Sequence, residues 1–260
     1  MSDDEVTNKA TNANLPILFL DTCALLDLMR GPNRKEFDIA NAKAAIKLLG
    51  LADNEKPEIT LMLADQVINE LNDNMGKIKQ YCSNAILDIK ENMQRLFSLA
   101  KIYGIDVPYD NIDITALKFD EVANGIVDCF IRASLKIFRN DTVLTKATKR
   151  VLCPKAPAKK GKDSLKDCII IETYLHTANN LRMNGFQNKI VFLTVNTKDF
   201  SEIKNNSFIL HKELSTEFSD VSLEFAVEFQ HASSLLYNIN SPKGLANTYF
   251  TKQEVQQEVH

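Results

Sequence analysis

Side chains that could bind a metal ion lie at four places along the sequence: Asp21, Glu70, Asp167, and Asn196 with Asp199. Three of these places follow a short apolar run that is typical of a strand, and the fourth opens a strongly apolar helix at residues 165–175. Loops at the carboxyl ends of parallel strands all emerge at one edge of a sheet. The acids are therefore expected to converge at that edge.

Converging carboxylates point to metal chemistry. Their oxygens are hard ligands that suit Mg²⁺ or Mn²⁺, and without a cation such a cluster would repel itself. A bound divalent ion would make water a better nucleophile and offset charge that develops on a phosphodiester. The reaction that this chemistry indicates is hydrolysis of a nucleic-acid backbone.

Composition indicates an ordinary globular protein. With 260 residues and 45% hydrophobic content, the chain can build one large core, and a net charge of -3 argues against a surface that attracts nucleic acid everywhere. The five cysteines are odd in number and contain no Cys-x-x-Cys pair, which favours reduced thiols in the cytoplasm. Neither a signal peptide nor a membrane-spanning run is recognisable, so we expect a cytoplasmic protein without membrane contact.

Alternation of apolar runs and amphipathic stretches predicts an α/β class with a mostly parallel sheet. The predicted strands cover residues 17–20, 59–63, 189–193, 208–210 and 221–225.

The same patterns predict one folded domain over residues 15–237. Residues 1–14 are polar and predicted to be disordered, and residues 238–260 form a polar tail. Residues 77–150 have helical periodicity with no recognisable strand, which predicts a helical insertion on the sheet.

Four segments resemble the ordered motifs of the PIN domain family of metal-dependent ribonucleases: LDTCALL, QVINEL, KDSLKDCIIIETYL and FLTVNTKDF. The last two are similar to a subgroup of longer PIN-like proteins. In that subgroup a Lys-x-Ser-x-x-Asp approach (Lys162, Ser164, Asp167) and a Thr/Ser-x-Asn ending (Thr194, Asn196) recur. The resemblance implies a three-layer α/β/α fold and an endoribonuclease.

The resemblance, which covers roughly residues 15–236, also implies roles for the acids. It implies that three of them hold Mg²⁺ or Mn²⁺: Asp21, Glu70 and Asp167. The family's fourth position, usually Asp, is Asn196 here, and Asp199 could supply the missing carboxylate. Thr194 matches a hydroxyl residue that the family places near the scissile phosphate.

A lysine-rich loop at residues 153–166 precedes Asp167. Four of its lysines are candidates for salt-sensitive contacts with single-stranded RNA: Lys159, Lys160, Lys162 and Lys166. A solvated connection is the plainer interpretation of such a run. Because many members of the family are toxins with cognate inhibitors, the resemblance also implies an inhibitory protein partner. The sequence leaves homo-oligomer formation open.

Other interpretations compete with the nuclease. Ser164 and Asp167 fit a helix capping box, and Asp163 is a competing cap. The Asn at position 196 keeps open an inactive module that binds RNA or a protein partner. A phosphatase-like sheet is disfavoured because Asp21-Thr22-Cys23-Ala24 lacks a second Asp, and no Gly-rich phosphate loop is present.

Overall fold

The computed structural model describes residues 3–31, 38–106, 113–205 and 207–237. Within these ranges the chain forms a parallel sheet and a separate antiparallel hairpin. The strands are β1 (Ile17–Leu20), β2 (Thr60–Ala64), β3 (Ser134–Ile137), β4 (Ile190–Leu193), β5 (Ser201–Lys204), β6 (Ser207–Leu210) and β7 (Leu223–Ala226).

Helices connect these strands. They are α1 (Asp3–Ala13), α2 (Thr22–Met29), α3 (Ile39–Ala52), α4 (Asp65–Ile102), α5 (Phe119–Ala133), α6 (Asp141–Leu152), α7 (Leu165–Met183), α8 (Thr197–Phe200), α9 (Lys212–Asp220) and α10 (Phe229–Tyr237), with a short 3₁₀ helix at Ile114–Leu117.

The main sheet has the strand order β3-β2-β1-β4-β7, and all neighbouring strands are parallel. Its central strands β1 and β4 are buried along their whole length, because each is a continuous apolar run that must be covered on both faces. These two strands lie side by side, with Leu20 opposite Leu193 at their carboxyl ends. The hairpin of β5 and β6 is outside this sheet.

Helices cover both faces of the sheet. On one face the Tyr174 ring of α7 stacks on Phe19 of β1, with ring centroids 4.5 Å apart. On the other, α5 and α10 meet through Phe130 and Phe229, whose centroids are 5.9 Å apart. The predicted α/β/α fold with a parallel sheet is therefore confirmed.

The Tyr174 hydroxyl joins the ends of two neighbouring strands. It donates a hydrogen bond to the carbonyl oxygen of Leu20 (2.5 Å) and accepts one from the backbone N–H of Ala64 (3.1 Å). Leu20 is the last residue of β1 and Ala64 the last of β2. Since the side chain is fully buried, no water can replace these bonds.

A buried ion cluster holds α6, α7 and α9 together. The Arg150 guanidinium pairs with Glu172 of α7 and with Glu217 of α9 at 2.5 and 3.0 Å. Burial alone would lower the pKa of Arg150, but the two carboxylates outweigh it and raise that pKa. Glu172 therefore has a structural role on the same helix that carries Asp167.

The prediction of a purely helical insertion over residues 77–150 is wrong in one respect. Residues Ser134–Ile137 form the edge strand β3, which pairs in parallel with β2. This strand has only four residues and directly follows α5. Its polar and apolar residues alternate too briefly to be distinguished from the preceding helical pattern.

The prediction of disorder over residues 1–14 is also corrected. Residues Asp3–Ala13 form α1, which contacts α7. Val6 and Ala10 lie one helical turn apart and are each 1% exposed. Two small apolar residues on one side are a weak sequence signal, and the packing partner is distant in the chain.

Two other expectations have different outcomes. The predicted polar tail at residues 238–260 lies outside the described residues, so it stays a prediction. Among the helices that are described, none is long and apolar enough to cross a bilayer.

We expect Tyr174→Phe to lower the free energy of unfolding by about 2 to 4 kcal/mol, because two buried backbone groups lose their partner. Urea denaturation measures the change. Tyr81→Phe is the matched control: it removes the same hydroxyl from a side chain that is 63% exposed, and we expect a change within about 0.5 kcal/mol. Equal effects of the two substitutions would show that the bridge between the strands contributes nothing.

Candidate active site

Three predicted acids come from three different elements. Asp21 directly follows β1 and caps α2, where its Oδ1 accepts a hydrogen bond from the Thr22 N–H at 2.8 Å. Glu70 lies in the second turn of α4, which begins directly after β2. Asp167 lies in the first turn of α7. All three positions follow from where β1 and β2 end and where α7 begins.

The thiol of Cys23 shows that these acids share one neighbourhood. Burial raises its pKa, and the negative charges of Asp21, Asp167 and Glu70 raise it further. All three carboxylates therefore lie within electrostatic range of one thiol. The structure therefore brings together the acids that the sequence singled out.

Asp21 is held firmly. Its side chain is buried, and its Oδ2 accepts a hydrogen bond from the hydroxyl of Thr194 at 2.6 Å. Burial raises the pKa of Asp21 to about 6, against the lowering effect of the Thr194 hydroxyl and with a further contribution from the charge of Glu70. Thr194 follows the last residue of β4, the strand beside β1, and this places its hydroxyl against Asp21.

Asp167 has the larger shift. Burial raises its pKa to about 7, and the charges of Asp21, Asp199 and Glu70 act in the same direction. The ammonium group of Lys162 opposes them only in part. Negative charge is therefore in excess around Asp167, as expected where like charges lie close in a partly buried place.

Glu70 is positioned by a chain of side chains that sequence reasoning missed. Gln66 donates from Nε2 to Glu70 Oε1 at 3.2 Å, and Arg139 Nη1 donates to Gln66 Oε1 at 2.5 Å. Arg139 also pairs with Asp65 at 3.3 Å. The guanidinium thus fixes the Gln66 amide so that its N–H faces Glu70. The spacing of Gln66 and Glu70, four residues on a helix, could have indicated the first contact.

Asn196 and Asp199 lie together after β4. The Asn196 side chain donates from Nδ2 to Asp199 Oδ2 at 2.9 Å, and its backbone N–H donates to the Thr194 hydroxyl at 3.0 Å. The Asp199 side chain is only 3% exposed. The amide of Asn196 therefore helps to fix the position of the Asp199 carboxylate.

Two of the four candidate RNA-binding lysines also lie at this place. Lys159 pairs with Asp199 Oδ1 at 3.2 Å, and Lys162 forms an ion pair with Asp199 Oδ2. Burial would raise the pKa of Asp199, but hydrogen bonds from Lys162, Asn196 and Lys159 outweigh it, and the pKa lies below its ordinary value.

The other two lysines are exposed. Lys160 lies in the same loop, and Lys166 contacts Asp73 of α4 at 3.7 Å. In the part of the chain that is described, neither forms an ion pair with Asp199.

The donor chemistry of the cluster fits a hard divalent cation. Burial and the charges of neighbouring carboxylates raise the pKa values of Asp21 and Asp167, so a cation there would remove repulsion. The hydroxyls of Thr22 and Ser164, at the starts of α2 and α7, are buried and have no hydrogen-bond partner among the described residues. Ser164 therefore does not form the side-chain cap that a capping box requires.

The cluster is not a closed set of ligands. In the described ranges, no three His, Cys, Asp or Glu side chains are gathered closely enough to hold an ion between them. Mg²⁺ typically takes one or two protein carboxylates and keeps several waters, so three direct ligands are not required.

Comparison with known proteins identifies the fold family. A model of the family described as PIN domain matches residues 18–200, more than two thirds of the chain. No curated protein and no solved structure matches the chain. The matched range contains the four acids of the site, from Asp21 to Asp199, together with Asn196 and the four strands β1 to β4. The chain belongs to the PIN domain family.

Proposed function

We propose that this protein is a metal-dependent endoribonuclease that hydrolyses phosphodiester bonds of single-stranded RNA with Mg²⁺ or Mn²⁺. PIN domains are generally nucleases that use divalent metals, so membership of the family supports the coarser statement. The observation that supports the metal-dependent cleavage of RNA is that the charges of Asp21, Glu70 and Asp167 all raise the pKa of the same thiol, that of Cys23. A cytoplasmic location belongs to the same proposal.

Asp21, Glu70 and Asp167 would hold the cation, one or two of them directly and the rest through its waters. When bound, the ion would polarise the scissile phosphate and offset charge in the transition state. Hydrolysis consumes one water: its oxygen bonds to phosphorus, the bond to the leaving ribose oxygen breaks, and that oxygen takes a proton. The carboxylates would serve to retain the cation, and the cation would offset the negative charge that develops on the phosphate.

Other side chains would orient these acids. The Thr194 hydroxyl donates to Asp21 and accepts from the Asn196 N–H, so we assign it a positioning role toward Asp21. The Gln66 amide has the same role toward Glu70. A contact of Thr194 with the phosphate stays a prediction.

RNA would approach along the lysine loop. The side chains of Lys159 and Lys162 are 50% and 49% exposed although both pair with Asp199. Their outer surfaces can therefore contact phosphate oxygens of a passing strand, without regard to sequence. Lys160 and Lys166 would add longer-range attraction. An inhibitory protein partner and homo-oligomer formation stay predictions.

A non-catalytic module that binds RNA or a protein partner is the second candidate. The observation that favours it is that no three of the described His, Cys, Asp and Glu side chains lie close enough together to hold a metal ion. The amide at position 196, where the family usually has a carboxylate, points the same way.

Asp21→Asn separates the two candidates. It keeps the shape of the side chain and removes one charge, so cleavage of single-stranded RNA in Mn²⁺ should fall by more than about 100-fold. A gel assay with end-labelled RNA measures the rate. The control is Asp73→Asn, which removes a charge from an exposed carboxylate of α4 and should leave the rate within about twofold. Unchanged cleavage by Asp21→Asn would remove Asp21 from the site.

The raised pKa values predict how stability depends on pH. Asp21 and Asp167 have pKa values of about 6 and about 7, against 3.8 for an ordinary Asp. Between pH 4 and 7 the folded chain therefore binds protons more tightly than the unfolded chain, and rising pH lowers stability. We expect Asp21→Asn, which cannot ionise, to gain on the order of 2 kcal/mol relative to the metal-free wild type across this window.

Urea denaturation of both proteins without metal, at pH 5 and pH 8, measures this difference. Mn²⁺ should then stabilise the wild type more at pH 8 than at pH 5, because metal and protons compete for the same oxygens. A difference between the two proteins that does not change with pH would contradict the assigned protonation of Asp21.

A further inference from the structure

The fourth acid of the site, Asp199, differs from Asp21 and Asp167. Asp199 lies in the first turn of α8, beside Asp167, whose pKa it helps to raise. Unlike Asp21 and Asp167, which have raised pKa values, Asp199 has a pKa below its ordinary value because cationic and amide donors surround it. The site therefore has one acid whose charge is already neutralised by the protein.

We propose that the ammonium groups of Lys159 and Lys162 occupy, at Asp199, the place of a second divalent cation, so that the site binds one metal ion. The inference rests on the proposed metal-dependent function. It makes the two lysines part of the metal site, as fixed cations that determine how many ions are bound.

Geometry is the first argument. Lys159 pairs with Oδ1 of Asp199 and Lys162 with Oδ2, so each carboxylate oxygen has its own ammonium group. Oδ2 also accepts from the Asn196 amide. An incoming ion would have to displace two cations from a side chain that is 3% exposed.

Charge is the second argument. Two ammonium groups pair with the one carboxylate of Asp199, so this side chain has no uncompensated negative charge with which to attract a divalent cation. Two-metal phosphodiesterases hold their ions about 3.5 to 4 Å apart and need enough carboxylates to offset four positive charges. Three acids remain here for the metal: Asp21, Glu70 and Asp167.

Anchoring is the third argument. Lys159 Nζ also donates to the backbone carbonyl oxygen of Lys198, so its position is fixed by two partners. Lys162 lies in the field of Asp167 as well as that of Asp199, and it lowers the pKa of Asp167. One ammonium thus serves two acids, which is the arrangement that a bridging metal ion would otherwise supply.

The experiment is a count of bound ions in the full-length chain. Isothermal titration with Mn²⁺ should give one site per chain for the wild type. Lys159→Met with Lys162→Met frees Asp199, and this double variant should bind two Mn²⁺ ions. Electron paramagnetic resonance should show a spin-coupled Mn²⁺ pair in the double variant and an isolated ion in the wild type, because two ions at this site would be close together.

A second double variant, Lys160→Met with Lys198→Met, is the matched control. It removes the same two charges from exposed lysines nearby that form no ion pair with Asp199 among the described residues. It should still bind one ion. Lys159→Arg with Lys162→Arg keeps both positive charges and should also bind one.

Each outcome decides a specific point. Two coupled ions in the wild type, or one ion in the methionine variant, would overturn the role of the lysines and leave the metal-dependent function standing. A second ion without spin coupling would mean binding elsewhere on the surface and would also overturn that role. No binding by the wild type would overturn both proposals. Circular dichroism checks folding. Should the methionine variant not fold, Lys159→Gln with Lys162→Gln removes the same two charges and should bind the second, coupled ion; failure to do so would overturn the inference.

Discussion

The hydroxyl of Tyr174 is the contact on which the site depends most. It joins Leu20 and Ala64, the last residues of two neighbouring strands, and the next residue after each strand is an aspartate. The same helix carries Asp167 seven residues earlier, two turns toward its N-terminus. One helix therefore supplies an acid and fixes the strand ends that position the others.

The site is electrostatically costly for the metal-free fold. Burial and mutual repulsion raise the pKa values of Asp21 and Asp167, whereas Asp199 is compensated by Lys159 and Lys162. A fold selected only for stability would not retain uncompensated acids in a partly buried place. The contrast between the compensated and the uncompensated acids is what points to a cation from outside the chain. Binding of that cation and folding would then be thermodynamically linked.

Sequence patterns could predict what is local. Strands β1 and β4 are continuous apolar runs, and the acids that follow them were found from that position alone. Patterns could not predict which side chains meet across long separations. Lys162 and Asp199 are 37 residues apart. Neither the loop that contains Lys162 nor the helix α8 that contains Asp199 indicates the pairing. The edge strand β3 and the helix α1 were missed because each has too few apolar residues to give a period, and packing against distant elements decides their structure.

The missed strand has a consequence for the site. Since β3 pairs with β2 up to Ala64 opposite Ile137, the chain leaves both strands at the same edge of the sheet. Arg139, two residues beyond β3, can therefore reach Asp65 and Gln66 at the start of α4. Gln66, oriented by Arg139, in turn donates a hydrogen bond to Glu70. The segment expected to be an insertion on the sheet thus completes the sheet and orients one of its acids, in the same way that α7 orients the ends of β1 and β2. Asp21 is positioned by Thr194 and Asp199 by Lys162, and both partners are distant in sequence. For this reason the site can be recognised from its residues but not constructed from them.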